Sequence, residues 1–520
     1  MFSLAPSDCR ELSYVEGIMN GLKKAALWTT ALALVLKVSG FIRESVVAKE
    51  FGASSETDAY FLAFGFITLV VAMISTGFNN VFLPMYVKSR VAGEDADDRN
   101  ANALLNWTMV VFVGISLVGW FFADAFVPFI YGNMSADTAV LAIRMTQIFF
   151  AFMTMIALSG LLDSYLQSRR IFVPSQVSKL LATLMAALFA LFFSDVWGIF
   201  SLVYGFIFGT VIGVIVQVVA LVRSDYTWQL TFRMDRMFGK VFLALIIPSL
   251  LNSVVGQVNL FVNRFFASGT GDAAVTYLNN SSLIISIPNA IYATTLAAII
   301  FTLMSEQTED LKKFRDTVFR GMEISLVTLL PIAIGLLVVG DAIISFIYEH
   351  GKFTATDTAN THIALLWYLP IIVFQGMQLI LSKSMYARGK TAVVFRISVT
   401  TIVLNFVMNW LLVDKYGYPA LAISASIVSV YYFAVSMVVV YKDLGMVEFK
   451  RFARMSSRVV GPAIVMGLAI WGLKVGLGAS AWTAIVQLAV LVPIGVAVYA
   501  GMLLLFYREG ARRFIGLLRR

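Results

Sequence analysis

A single cysteine, Cys9, and two histidines, His350 and His362, rule out a disulfide framework and leave too few ligands for a thiolate metal site or a histidine relay. Charge is scarce too. Only 13% of the 520 residues are charged, against 59% hydrophobic, and the mean hydropathy of +0.85 is more apolar surface than a soluble globular chain can bury. No Walker motif or nucleotide-binding glycine pattern appears, so the chain is not expected to hydrolyse ATP. No cofactor, metal or enzyme activity is expected, and work must come from an ion gradient, the membrane potential or consumption of a product. The first eighteen residues, MFSLAPSDCRELSYVEGI, hold no apolar core of signal-peptide length. Residues 1–18 are therefore an expected cytoplasmic extension, with Met19 as a candidate start.

The chain is rich in apolar runs of the length a bilayer demands, about 20 residues per helical crossing. They do not alternate polar with apolar, so a β-barrel is excluded. Fourteen crossings are expected, from 25–43 at one end to 481–507 at the other. An even number puts both termini on one side. Lys and Arg crowd the loops of that side, while the opposite loops carry only Lys49, Arg264, Lys352, Lys415 and Lys474. This asymmetry places both termini in the cytoplasm. Retention signals and attraction to anionic lipid then explain the net charge of +9 without nucleic acid.

The sequence also repeats itself. FGASSETDA (Phe51 to Ala59) aligns on FFASGTGDA (Phe265 to Ala273), pairing Asp58 with Asp272. FIYGNMSADTA (Phe129 to Ala139) finds FIYEHGKFTATDTA (Phe346 to Ala359), and the turn QSRR (Gln167 to Arg170) falls opposite ARGK (Ala387 to Lys390). The matches keep their order at equivalent helix boundaries. Six crossings per period is an even number, so the copies insert in the same orientation, as a parallel repeat. The expected fold is thus an all-α integral membrane protein with 14 transmembrane helices. Residues 19–230 form an N-lobe of helices one to six and 231–445 a C-lobe of helices seven to twelve. Residues 446–520 add a basic linker, helices thirteen and fourteen, and a basic tail.

A charge inside a membrane helix costs at least about 2.5–3.5 kcal/mol at mid-bilayer, so each one asks for a reason. Six basic residues lie inside apolar segments: Lys37, Arg43, Arg144, Lys179, Lys383 and Arg396. All but Lys37 and Arg43 stand close enough to a helix end to snorkel. Those two share the outer half of helix one, with Glu44 adjacent and Glu50 and Asp58 nearby. Either they form an ion-pair network that locks the first hairpin, or they face a water-filled cavity. Glu323 is expected to pair with Arg320 one turn away. The polar faces of helix seven (Asn252, Ser253, Gln257, Asn259, Asn263) and of the start of helix eight (Asn279, Asn280) suit a hydrated wall or sugar contacts, and equally interhelical hydrogen bonds.

GFIRESVVAKEFGASSETDAYFLAF closely resembles the first-hairpin signature of the MurJ/MviN (mouse virulence factor) family, in the multidrug/oligosaccharidyl-lipid/polysaccharide exporter superfamily. The resemblance continues in FNNVFLPMY (Phe78 to Tyr86), in the second-lobe FASGTGDA and in the fourteen-crossing count. It implies a V-shaped, two-lobed protein with a central cavity that flips lipid II, the undecaprenyl-pyrophosphate-linked peptidoglycan precursor. By this resemblance Arg43 matches an arginine that helps bind the pyrophosphate. Lys37 takes the place of a second arginine, Asp58 matches the family aspartate, and helices thirteen and fourteen build a lipid-tail groove. The chain departs from the pattern at Val71 and Leu283, where the family typically has arginines. Lys37 for arginine is no neutral exchange either, since lysine lacks the bidentate fork.

The reading is a flippase of polyprenyl-pyrophosphate-linked saccharides in the bacterial cytoplasmic membrane, working by alternating access as a monomer. Lipid II is the leading cargo. A lipid-linked repeat unit for exopolysaccharide, O-antigen or a teichoic-type polymer is the alternative cargo, and a cation-coupled multidrug exporter or a non-transporting scaffold are rivals of other classes. Candidate substrate-binding residues are Lys37, Ser39, Arg43, Asp58, Asn279 and Asn280. Candidate gating or ion-pair residues are Glu44, Arg264 and Asp272. The coupling ion, H+ or Na+, stays open, and membrane lipids are the other expected partners.

Overall fold

The computed structural model describes residues 32, 35–91, 97–132, 134–224, 226–293, 298–508 and 510. The expected N-terminal extension, with Cys9, and Met19 lie outside them. Among the described residues the chain is helical without any strand, as a spanning chain must be when lipid offers its backbone no partners. Ten helices are long and apolar enough to cross a membrane, or eleven if one bent pair is a single span.

By packing the chain falls into two compact units. The first takes the chain up to Glu50, Leu62–Phe129 and Asp137–Gln257; the second takes Phe51–Phe61, Ile130–Ala136 and Val258 onward. The first holds α1 (residues 35–51), most of α2 (Ser55–Val91) and α3 (Asp97–Ile130), then α4 (Ala136–Ala151), α5 (Met153–Ser168), α6 (Val173–Trp197) and α7 (Phe200–Val222). Helix α8 (Arg236–Ala267) divides at Gln257 between the units. The second unit continues with α9 (Ala274–Tyr292), α10 (Ala298–Glu306), α11 (Leu311–Tyr348), α12 (Ala355–Ala387), α13 (Thr391–Tyr416), α14 (Pro419–Leu444), α15 (Met446–Gly476) and α16 (Ala484–Phe506).

One expected crossing, 138–165, is not continuous. Helices α4 and α5 meet at Phe152 with a bend of 56°, and no proline or glycine marks the break. Three helices at expected crossings, α1, α8 and α9, are not among the ten apolar spans. For α9 the reason is compositional, because the amides and hydroxyls of its polar face dilute the hydropathy.

In lipid the hydrophobic effect gives helices little reason to associate, so close packing and interhelical hydrogen bonds must do it. In the first unit Gly205, Gly209 and Gly213 form a small-residue stripe on α7 that lets α6 approach. A Cβ on Gly209 would stand 2.5 Å from the Leu181 carbonyl oxygen, and one on Gly213 2.2 Å from Ser178 Oγ. Phe82 stacks on Tyr165 with centroids 4.3 Å apart, joining α2 to α5. In the second unit Val339, Met466, Ile470 and Leu491 make a buried cluster that seats α15 and α16 on α11. Lys474 adds 2.7 Å bonds to both carboxylate oxygens of Asp341. Thr354 and Asp357 close a capping box at the start of α12, and Asp357 also accepts from the Tyr277 hydroxyl of α9 at 2.8 Å.

The two turns after α5 and α12 matched by sequence are equivalent, but one residue out of the expected alignment. Arg170 (φ 61°) and Gly389 (φ 71°) are the left-handed residues after α5 and α12. In each turn the next amide bonds back five residues, Ile171 to the Leu166 carbonyl and Lys390 to that of Met385, the geometry of a Schellman cap. Arg170 therefore pairs with Gly389, and Arg169 with Arg388.

Candidate functional site

The charges of α1 fall into separate environments. Arg43 and Glu44 join through a 2.5 Å contact from Nη2 to Oε1, with side chains 14% and 3% exposed. The guanidinium also lies over the Phe64 ring of α2, 4.8 Å from its centroid, so the cation is held by a carboxylate and a π-face together. Lys37 is exposed and has no ion-pair partner among the described residues. Six residues apart on a helix, Lys37 and Arg43 project in different directions, and no contact joins them. Ser39 is buried and donates to the Leu36 carbonyl at 2.8 Å. Glu50 pairs with Lys49 at 3.1 Å and accepts from Ser194.

Asp58 belongs to the second unit, on the first turn of α2. It is 3% exposed and bound to the start of α9. The Thr276 amide and hydroxyl donate to Oδ1 at 2.8 and 2.6 Å, and the Val275 amide donates to Oδ2 at 3.3 Å. A carboxylate at a helix N-terminus satisfies amides that have no partner within the helix and meets the positive end of its dipole. Asn279 and Asn280 follow one turn later, the first half-buried and the second 2% exposed. Asp272, the repeat counterpart of Asp58, is exposed, and Arg264 is half-buried in the last turn of α8. The structure thus brings together Arg43 with Glu44, and Asp58 with the helix that bears Asn279 and Asn280.

Other polar groups found partners that local spacing did not suggest. Lys179 reaches Asp163 at 2.6 Å, and Gln217 donates to the same carboxylate at 2.7 Å. Glu323 accepts a hydrogen bond from Tyr507. On α8, Asn263 Oδ1 accepts from Asn405 at 2.9 Å and from Asn409 at 2.8 Å. The side-chain oxygens of Asn259, Asn405 and Asn409 are buried there without a donor. Asn405 and Asn409 are not among the expected site residues, although VLNFVMNW places two amides four apart in an apolar helix.

An apolar cavity of about 520 Å³ opens in the second unit. Leu326 and Leu330 of α11, Pro370 and Phe374 of α12, Phe433 of α14 and Phe452 of α15 line it. Of the two C-terminal helices expected to form a groove, α15 contributes to this lining and α16 does not.

A family model described as "Lipid II flippase MurJ" matches residues 47–492. The chain belongs to that family. It is a multi-pass inner-membrane protein by that membership and by its apolar helices. A relative from Vibrio cholerae named "Probable lipid II flippase MurJ" is 24% identical over 517 residues, covering 94% of this chain and 97% of the relative. A solved structure titled "Lipid II flippase MurJ, inward closed conformation" superposes with a TM-score of 0.79 at 22% identity, covering 93% of this chain and 99% of that one. A multidrug resistance MATE family transporter of the MOP superfamily, in an inward-facing conformation, shares the fold at a TM-score of 0.63 and 12% identity, covering 81% of this chain and 95% of that one. The family match begins four residues after Arg43, so the cations of α1 rest on their own geometry.

Proposed function

We propose that this protein is a flippase, not an enzyme, that carries lipid II across the bacterial inner membrane by alternating access. The observation that carries this reading is the family match over residues 47–492. The charges of α1 support it physically. A diphosphate crossing hydrocarbon needs a fixed cation, and Arg43, poised against Glu44 and Phe64, is a guanidinium whose carboxylate partner a diphosphate replaces. Lys37 is the second cation that the headgroup meets, with Ser39, Asn279 and Asn280 as polar contacts. Asp58, bound to the start of α9, acts as a latch on that helix rather than a phosphate ligand, and Glu44, Arg264 and Asp272 are the gating or ion-pairing groups.

The apolar cavity of α11, α12, α14 and α15 supports a site for part of the polyprenyl tail. The working division is two lobes, 19–230 and 231–445, with a C-terminal segment 446–520. Fourteen crossings with both termini in the cytoplasm suit the even helix count and the Lys and Arg asymmetry. The donor-free amide oxygens of Asn259, Asn405 and Asn409 suit a hard monovalent cation, which makes Na+ the better candidate for a coupling ion than H+.

The test is rescue. A cell depleted of its own lipid II flippase should grow when this chain is expressed and should lyse when Arg43→Gln is expressed at the same level. Wild-type lysis with normal membrane insertion would overturn the cargo assignment.

A further inference from the structure

The segment between α7 and α8 is neither helix nor free loop. Residues 226–235 form neither helix nor strand, with a tight turn at Leu230 where the Thr231 amide donates to the Gln229 carbonyl at 2.9 Å, and side chains of α3 bind their backbone. Asn102 Nδ2 donates to the Thr227 carbonyl at 2.9 Å. Asn106 Nδ2 donates to the carbonyls of both Gln229 and Thr231 at 2.9 Å, and Trp107 Nε1 donates to that of Phe232 at 3.1 Å. Asn100 Oδ1 accepts from the Asp235 amide at 2.9 Å. The amide oxygens of Asn102 and Asn106 are filled in turn by the Tyr226 hydroxyl at 2.6 Å and the Trp228 indole at 3.1 Å. Polar side chains along one helix thus supply the partners that a non-helical backbone ordinarily finds in a strand or in water.

This arrangement leaves the wrong side chains in the open for a solvated loop. Trp228, Leu230 and Phe232 are 57%, 71% and 43% exposed. The packing of the segment on α3 leaves all three uncovered. Trp107 is 48% exposed and packs edge-on against Phe232 with centroids 5.4 Å apart. Flanking them, Arg223, Arg233, Arg236 and Lys240 are exposed, with no ion pair among the described residues. The segment joins two helices of the membrane-spanning bundle, so its ends lie where those helices leave the bilayer.

We propose that residues 226–235 are an interfacial anchor. Trp228, Leu230 and Phe232 enter the headgroup boundary of the leaflet where α7 ends, and the four basic residues meet anionic lipid headgroups. Aromatic side chains settle at that boundary, and basic ones beside it bind anionic lipid. The asparagine ladder makes the anchor affordable in lipid, where an extended backbone with bare carbonyls is not tolerated. The partner is the lipid surface itself, distinct from the flipped cargo.

The experiment uses the full chain with Cys9→Ser and one new cysteine at a time, Gln229→Cys, Leu230→Cys, Thr231→Cys or Phe232→Cys, each carrying an environment-sensitive fluorophore. The proteins are reconstituted in phosphatidylcholine vesicles with or without phosphatidylglycerol. Quenching by lipids brominated near the headgroup should be about twofold or more stronger at 230 and 232 than at 229 and 231. Iodide quenching should show the opposite order, and phosphatidylglycerol should widen the difference. Equal iodide access at all four positions would overturn the anchor, and indifference to phosphatidylglycerol would overturn the role of the basic residues. In the Leu230→Cys protein, Asn106→Leu should bring lipid quenching down to the level of position 229. Unchanged quenching would show that the ladder does not hold the segment.

Discussion

The two copies of the repeated loop look alike in sequence and are used differently. Asp58 ends FGASSETD, and its carboxylate is buried against the amides of α9, whereas Asp272 ends FFASGTGD and is exposed. Gly52, at φ 66°, lies so close to the Lys352 carbonyl oxygen that a Cβ would stand 2.7 Å away; the second copy has Phe266 at that place. At the same offset Arg43 and Glu44 of α1 correspond to Gln257 and Val258 of α8. Duplication preserved the helix boundaries, and the charge stayed in one copy. Asymmetry of this kind suits a carrier whose cargo has a single anionic end.

Five substitutions would sharpen or break that contrast. Arg43→Gln gives the first copy the residue of the second. It should slow flipping roughly 10- to 100-fold, the worth of a charge-assisted hydrogen bond, and lower the melting temperature, because Glu44 is left buried without its cation. Wild-type flux would place the cation outside the transport path. Asp58→Ala should destabilise the folded chain by about 2–3 kcal/mol, through the orphaned Thr276 and Val275 amides. Asp272→Ala should change stability by no more than about 0.5 kcal/mol; equal shifts in detergent melting curves would erase the difference between the loops. The smallest effect belongs to the turns after α5 and α12. Arg170→Gly should stabilise by about 0.5 kcal/mol and Gly389→Ala should destabilise by about 1 kcal/mol, since each changes the strain of one left-handed residue. A loss on Arg170→Gly would mean that its side chain holds more than the turn.

Much of the architecture could be read from sequence because a bilayer sets the length of an apolar run and leaves the backbone one economical answer. The repeat was legible for a similar reason: polar loops between greasy helices keep recognisable signatures. The bend at Phe152 was not, since nothing in FFAFMTM differs from ordinary helix. The one-residue correction at QSRR and ARGK needed backbone angles, because an arginine in the left-handed region carries no mark in sequence. Arg43 announced itself as a charge in grease. Its pairing with the adjacent Glu44 was legible, but the stacking on Phe64 was not. Asp58 was visible as a charge at a helix start, yet its partner Thr276 lies 218 residues away, and only the tertiary fold could reveal it. The asparagine ladder of α3 escaped notice because NANALLNW reads as an ordinary helix until its neighbour is known.

Transport of lipid II is the central claim, and its most direct measurement is made in sealed vesicles containing the purified chain and fluorescently labelled lipid II. The fraction of label reached by an added membrane-impermeant quencher should climb over time beyond the outer-leaflet share seen in protein-free vesicles. A fraction that stays at that share, with folded protein in the membrane, would contradict the account.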